Sequence, residues 1–317
     1  VSAVLVLPDT ADEADWLAAR RKGIGASEIA AIMGRSPYDS LFSLWWRKRM
    51  GWEIPANNEM STGTFLEPTI AGWFAKHYAS PENLHIDTAG LYQHADRPWQ
   101  MATPDRLVSA IDNCGGICDG GLVPDEDSTF FIEGFKPCSV CGRFKLLRLL
   151  ECKWVAFSWD GWGEEGTDDV PVHYRDQALW QLDVMGLDEV DLCALGPGGF
   201  RVYRVRRDEK ELVGMRERGC RFMDSLAAGT PPDVDEHSST LPILRRLHAD
   251  IEDREQEIPA QVAQGWQRAK KFSDLAKQFE AKYTALLRAH LGDAKTAVLA
   301  GEKFAARTSN DQLRRTK

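Results

Sequence analysis

The chain has 317 residues, 43% of them hydrophobic, with 48 acidic against 39 basic side chains and a formal net charge of −9. This length accommodates one large core or a core with a smaller appendage, and the acidic balance argues against a protein that coats nucleic acid by bulk electrostatics, which needs a basic excess. The charge is segregated: residues 268–317 carry twelve Lys/Arg and five Asp/Glu, a local +7 that leaves −16 on the remainder, and carboxylates gathered for a metal count as negative until the cation binds. No run of about 18 apolar residues is present, and the apolar stretch at 4–7 is too short and lacks the basic flank of a signal-peptide core. A cytoplasmic protein (in the host cell, if the chain is a phage's) with no membrane partner is expected. Seven cysteines, an odd number and mostly in one stretch, suit thiols or a metal site better than a disulfide framework.

In chain order, residues 12–21 predict a short amphipathic helix with Trp16 and Leu17 inward, ending in Arg20-Arg21-Lys22 before Gly23. Ser27 is expected to cap a helix over 28–33 that Gly34 stops. Asp39 or Ser40 caps the next helix, which runs to Gly51. Residues 64–78 read as a further helix, with Pro68 in its first turn, where a missing N–H is tolerated. The pattern then changes to strands at 88–94, 99–103 and 146–154, with the Gly-, Asp- and Cys-rich stretch 106–145 expected as an insertion. A helix at 172–185, a hairpin of 190–195 and 200–205 about Gly196-Pro197-Gly198-Gly199, and a helix at 210–227 follow. Helices around a short mixed sheet define an α/β core over 1–228. A polar linker at 229–239 leads to a helical C-terminal extension, 240–317. There Val262, Trp266, Ala269, Ala276, Phe279, Tyr283 and Leu286 recur at helical spacing after Pro259, a stripe that suits a core or an oligomer interface before a DNA grip. Residues 296–300 and 304–306 predict a terminal hairpin about Gly301.

The strand at 146–154 ends in Glu151-Cys152-Lys153. Side chains alternate along a strand, so Glu151 and Lys153 share one face while Cys152 points back into the core. A carboxylate that holds a hard cation, beside an ammonium that orients or activates water, is what phosphodiester hydrolysis demands. Glu-x-Lys also arises by chance about once in a chain of average composition. Glu280-Ala281-Lys282 is such a look-alike: its periodicity is helical, where residues two apart diverge by about 200°. Glu133 and Lys136, three apart, would lie on opposite faces of a strand. Only Glu151 follows a buried-strand run, Leu146-Leu147-Arg148-Leu149-Leu150. Taken alone, that motif still leaves a structural or solvated strand end as the ordinary alternative.

Taken in order, Trp16-x-x-x-Arg20, Gly25-Ala26-Ser27-Glu28-Ile29-Ala30-Ala31-Ile32-Met33-Gly34, Ser36-Pro37-Tyr38, Gly63-x-x-x-Glu67, Thr103-Pro104-Asp105, Glu151-x-Lys153 and Tyr174-x-x-Gln177 resemble the YqaJ-like viral recombinase family. This is the family of the phage lambda exonuclease, within the PD-(D/E)xK nucleases, and the likeness spans roughly residues 13–225. The resemblance implies an α/β fold with a restriction-endonuclease-like core, a central mixed sheet flanked by helices. It implies a Mg²⁺-dependent deoxyribonuclease, with Mn²⁺ as a substitute ion, that degrades linear duplex ends 5′→3′ in phage recombination or DNA processing. Asp105 and Glu151 become metal ligands, Glu67 completes the acidic cluster, and Lys153 positions the nucleophilic water. Gln177 orients substrate or water, and Arg20 and Ser27, with Tyr174 a turn behind Gln177, form the binding set for the terminal 5′-phosphate. A guanidinium and a hydroxyl suit an anion, whereas without the resemblance Ser27 reads as a helix cap and Arg20 as a surface cation. The implied partners are double-stranded DNA ends, a phage single-strand annealing protein, and two further copies in a ring-shaped trimer. An endonuclease of the same fold, or a catalytically degenerate nucleic-acid-binding protein using the basic tail, are the alternatives.

The sequence departs from the family pattern after Asp105, where Arg106 replaces the usual Gly and about 45 residues intervene before Glu151. Asp112 and Asp119 lie near enough to compete for the first acidic role, and the preceding Thr103-Pro104 favours Asp105. The intervening stretch holds Cys114-x-x-x-Cys118 and Cys138-x-x-Cys141, a spacing that fits a tetrahedral structural Zn²⁺ and equally fits a loop of reduced thiols.

Overall fold

The computed structural model describes residues 3–55, 57–82, 84–110, 145–309 and 312–315. In chain order they form β1 (Ala3–Leu7), α1 (Glu13–Arg20), α2 (Ile29–Ile32), α3 (Leu41–Met50), α4 (Asn58–Phe74), β2 (Leu84–Thr88), β3 (Leu91–His94), β4 (Met101–Ala102) and β5 (Arg106–Ala110). There follow β6 (Lys145–Trp154), α5 (Val172–Met185), β7 (Glu189–Gly196), β8 (Gly199–Arg206), α6 (Glu209–Ala228) and α7 (Thr240–Leu247). The chain divides into two compact units, Val1–Ala249 and Asp250–Lys317.

In the first unit a five-stranded sheet has the order β2-β5-β6-β7-β8. β6 and β7 pair in parallel and the other neighbours antiparallel, so the sheet is mixed. Parallel neighbours need a crossover, and α5 supplies it. The apolar run of β6 is buried on both faces, with Leu149 and Leu150 both fully inaccessible, each such side chain contributing about 1.5–3 kcal/mol. Leu149 joins Ile24, Trp45, Leu179, Trp180 and Leu192 in the larger core. Leu150 and Cys152 join Ile70, Ala71 and Phe74 of α4 in the smaller one. The sheet is thus sandwiched between α5 and α4, and the alternation along β6 sends Glu151 and Lys153 to the α5 side.

A second, antiparallel sheet, β1-β3-β4, adjoins the loop that follows α1. Ile24 donates its N–H to the Trp99 carbonyl at 2.6 Å, and Trp180 Nε1 donates to the Ile24 carbonyl at 3.2 Å. Gly23 is needed here because a Cβ would meet the Trp99 carbonyl oxygen at 2.3 Å. These contacts fix the loop carrying Gly25 and Ser27 against α5.

Several boundaries differ from the sequence-based expectations. α4 begins at Asn58, capped by Asn57, which places Pro68 inside the helix at an exposed position rather than in its first turn. Residues 88–94 form no single strand: Thr88 ends β2 and Leu91 opens β3 in the other sheet. Arg106–Ala110 is β5, between β2 and β6, and Lys145 opens β6, so both ends of the stretch expected as an insertion over 106–145 belong to the sheet; residues 111–144 lie outside the described residues. β5 is short, and pairing on both edges, with β2 and β6, holds it in the sheet. Cys114, Cys118, Cys138 and Cys141 lie outside the described residues. The helix α7 belongs with the first unit, where Ser40 Oγ lies 3.2 Å from Thr240 Oγ1.

The second unit holds α8 (Ala260–Leu291) and a small antiparallel sheet of β9 (Thr296–Leu299), β10 (Glu302–Arg307) and β11 (Leu313–Arg315). The predicted hairpin about Gly301 is thus extended by a third strand. Val262, Trp266, Phe279 and Tyr283 of the α8 stripe are exposed. Among the described residues no helix is long and apolar enough to cross a membrane.

Candidate active site

Glu151 and Lys153 leave β6 on one face, as the alternation requires, and α5 covers them. Lys153 Nζ donates to Glu151 Oε1 at 2.5 Å and to Gln177 Oε1 at 3.1 Å. Gln177 Nε2 donates to the same Glu151 oxygen, closing a three-membered ring of contacts. Gln181, one turn further along α5, donates from Nε2 to Glu151 Oε2 at 2.7 Å. Glu151 is therefore a buried carboxylate, 3% exposed, with both oxygens engaged, as a buried charge must be. Burial alone would lower the Lys153 pKa, but the charges of Glu151 and Asp105 outweigh it and hold the ammonium above its ordinary value. The ring of Tyr174 lies beside that ammonium, 4.9 Å from Nζ to the centroid. Burial, and then Lys153, push the neighbouring His173 down to about 4.

Asp105 stands at the start of β5 and turns toward β6, where its Oδ2 accepts the Cys152 N–H at 2.7 Å. This bond ties the Thr103-Pro104-Asp105 segment to the middle of the Glu151-x-Lys153 motif. Burial and then the charge of Glu151, with Glu67 adding, hold the Asp105 carboxyl well above the usual range, against the opposing pull of Lys153 and the Cys152 N–H. Crowded carboxylate oxygens of this kind fit a hard divalent cation, which relieves their repulsion. Glu67 comes from α4, and its Oε1 accepts from Arg106 Nη1 at 2.6 Å. Among the described residues, no three Asp, Glu, His or Cys side chains converge as a ready metal-holding group. Asp105 and Glu151 are adjacent, while Glu67 is occupied by Arg106.

Arg20 Nη2 donates to Ser27 Oγ at 3.1 Å, and the Arg20 guanidinium lies 4.5 Å from the centroid of the Trp16 ring. Ser27 is not a helix cap. It sits within a single 3₁₀ turn, Ala26–Glu28, whose N-cap is Gly25, and Glu28 Oε2 accepts the Gly25 N–H at 2.7 Å. With no backbone donor to serve, the Ser27 hydroxyl is left for Arg20 and the cleft. Beneath this turn Lys48 donates to the carbonyls of Arg20 at 3.0 Å and Gly23 at 2.6 Å and pairs with Glu28 at 2.7 Å.

Trp16, Arg20, Ser27, Glu67, Asp105 and Gln177 line one cleft of about 450 Å³. The motifs scattered from 16 to 177 thus meet in space, with Glu151 and Lys153 behind Gln177. A smaller hollow of about 250 Å³ around His94, Arg97, Asp183, Arg207 and Arg216 contains none of the motif residues and belongs to a structural ion-pair network. Sequence reasoning missed Gln181, Lys48 and the pairing of Arg106 with Glu67. Gln181 was detectable only as the residue four beyond Gln177; the other two depend on contacts between distant segments.

The profile of the YqaJ-like viral recombinase domain matches residues 15–188. The Uncharacterized protein YqaJ of Bacillus subtilis (strain 168) is 21% identical over 245 residues, 75% of this chain, and the chain spans 64% of that protein's length. Among solved structures, an alkaline exonuclease (LHK-Exo) from Laribacter hongkongensis has a TM-score of 0.47 at 17% identity, with 74% of this chain and 98% of that chain covered. LHK-Exo in complex with dAMP gives a TM-score of 0.47 at 18% identity over the same shares.

Proposed function

Since the chain belongs to the YqaJ-like viral recombinase family, we propose that it is a metal-dependent exonuclease that degrades linear duplex DNA from its 5′ ends. The observation that carries this reading is the set of contacts among Glu151, Lys153 and Gln177, placed beside Asp105 at a cleft that also holds Arg20 and Ser27. Asp105 and Glu151 would hold Mg²⁺, with Glu67 at the rim. When bound, that ion supplies Lewis acidity toward a phosphoryl oxygen and lowers the pKa of water.

The remaining work falls to the chain's own side chains. Lys153, with its pKa raised by two carboxylates, stays protonated at neutral pH. It donates to Glu151 and Gln177 and from there would orient water or a phosphate oxygen. Gln177 and Gln181 hold the Glu151 carboxylate in one orientation. Arg20, steadied by the Trp16 ring, and Ser27 supply charge and hydroxyl for a terminal phosphate. That pairing is what would make the substrate an end.

The test compares linear duplex and covalently closed circles, with Mg²⁺ and with chelator, for the native chain and for Glu151→Ala and Lys153→Ala. Loss of linear DNA only, abolished by chelator and by either substitution, is expected. Nicking of closed circles would refute the exonuclease reading, and undiminished activity in both variants would refute the site.

A further inference from the structure

Arg106 introduces a cation into a cluster whose other charges near Asp105 are two carboxylates and one lysine. Its backbone is held on both sides of β5, opposite Thr88 of β2 and Leu150 of β6. Its guanidinium donates to Glu67 Oε1 at 2.6 Å and to the Asp105 carbonyl at 2.5 Å. The side chain is 14% exposed and that of Glu67 30%, so a largely buried arginine holds a partly exposed carboxylate on the wall of the cleft. A mostly buried guanidinium fixed on a strand is a far stronger partner for a carboxylate than a mobile surface cation. Glu67 nevertheless lies close enough to Asp105 for its charge to raise the Asp105 pKa.

We propose that Arg106 is a positioning residue that keeps Glu67 out of the ligand set of the divalent cation, and so sets the metal affinity of the site. The proposal rests on the reading of Asp105 and Glu151 as metal ligands. With Arg106 in place Glu67 would stay on its Oε1 pair, and Asp105 and Glu151 would supply the carboxylate oxygens for the ion. Without it the Glu67 carboxylate is released to turn toward them and supply a third oxygen.

Calcium binding to the full chain, measured by titration calorimetry in the absence of DNA, tests this directly. Arg106→Gln is expected to tighten Ca²⁺ on the order of tenfold, the scale of changes to groups that support metal ligands. Glu67→Gln alone should change it by less than about twofold, because Glu67 is already sequestered, and the double variant should lose the gain of Arg106→Gln. Unaltered Ca²⁺ affinity in Arg106→Gln would overturn the proposal. So would a Glu67→Gln effect of the same size in the native chain and in Arg106→Gln, since the two charges would then act independently and Glu67 would not have been released as a ligand. Should Arg106→Gln fail to fold, Arg106→Met, which keeps an unbranched stem and removes the Nη1 donor to Glu67, must tighten Ca²⁺ in a Glu67-dependent way or the proposal falls. Asp105→Asn and Glu151→Gln separate the two levels. If both leave Ca²⁺ affinity unchanged, the metal site and this role fall together; if both abolish binding while Arg106→Gln is silent, only the role of Arg106 falls.

Discussion

Gln181 donates to one oxygen of Glu151 at 2.7 Å while Gln177, a turn earlier on α5, takes the other. Both donors come from one rigid helix, so the plane of the carboxylate is set by helix geometry and not by solvent. Gln181 is fully buried, and among the described residues its own Oε1 has no partner. Gln181→Leu therefore removes an unmet acceptor along with the donor, and the two effects on stability partly offset. Turnover is expected to fall about 10- to 100-fold, as for other groups that orient a metal-ligating side chain. Initial rates of nucleotide release from end-labelled linear duplex measure it, with circular dichroism to confirm folding. A rate within about twofold of the native chain would mean that Glu151 does not need this donor.

Asp183 anchors the far end of α5. It accepts from Arg97 at 3.0 Å, Gln100 at 2.8 Å, Arg207 at 2.6 Å and Arg216 at 2.5 Å, and is 1% exposed. Burial pushes its carboxyl up, but the bonds from Arg216, Gln100 and Arg207 prevail and hold it below the usual range. Asp183→Asn leaves three arginines without their shared anion, and breaking a buried pair from one side costs about 3–5 kcal/mol. Urea unfolding at neutral pH should show a loss of that order. A change below about 1 kcal/mol would mean the arginines find other partners, Glu209 being the nearest for two of them.

The parts of this site that the sequence revealed are those written within one element. The run Leu146 to Leu150 announces a buried strand and fixes which face Glu151 and Lys153 share; α5 ends at Gly186 in the left-handed region, a stop that composition signals. β2 is hard to read from sequence because the alternation Leu84-His85-Ile86-Asp87 is so short, and the strand pairs along its length with β5. The start of α4 was hidden because Asn58 to Gly63 is polar and the apolar face begins later. Pairs such as Arg106 with Glu67, or Lys48 with Glu28, join segments whose approach is set by tertiary packing. No periodicity encodes them.

The imidazole of His173 gives the fold an acid-sensitive component. Burial and Lys153 lower its pKa to about 4, against about 6.5 in an unfolded chain. Between those values the unfolded state binds the extra proton, so stability rises with pH over that window and is lost as pH falls from about 6.5 toward 4. Asp176 slopes the other way: burial, opposed chiefly by Arg35, pushes its carboxyl up to about 6, so its contribution falls as pH rises. Asp176 is present in both the native chain and His173→Phe, so the difference between their unfolding midpoints plotted against pH isolates the imidazole. The variant's midpoint minus the native chain's should fall as pH rises from 4 to 6.5 if His173 is the protonating group. Parallel curves would show that its proton affinity is the same folded and unfolded.

Lys48 is the buried support of the turn that carries Ser27. Its ammonium spends its donors on the carbonyls of Arg20 and Gly23 and on Glu28, which in turn receives the Gly25 N–H. Burial lowers the Lys48 pKa despite Glu28, while Lys48 and Arg20 more than offset burial at Glu28 and bring its carboxyl below the ordinary value. Both shifts are compatible with an ion pair at neutral pH. Lys48→Met keeps the length of the stem but strands Glu28 and frees the two carbonyls, at a cost of about 3–5 kcal/mol. The turn would then no longer hold Ser27 within reach of Arg20, so on the proposed function discrimination between 5′-phosphate and 5′-hydroxyl ends should collapse toward unity in KM while kcat, which that proposal assigns to Glu151 and Lys153, falls less. The double variant Glu28→Gln/Lys48→Met removes the stranded charge and should recover much of the stability without recovering the preference. Rates on duplexes that differ only in the terminal phosphate decide it: full retention of the preference in a folded Lys48→Met chain would mean that the turn is shaped by its backbone contacts to Trp99 alone.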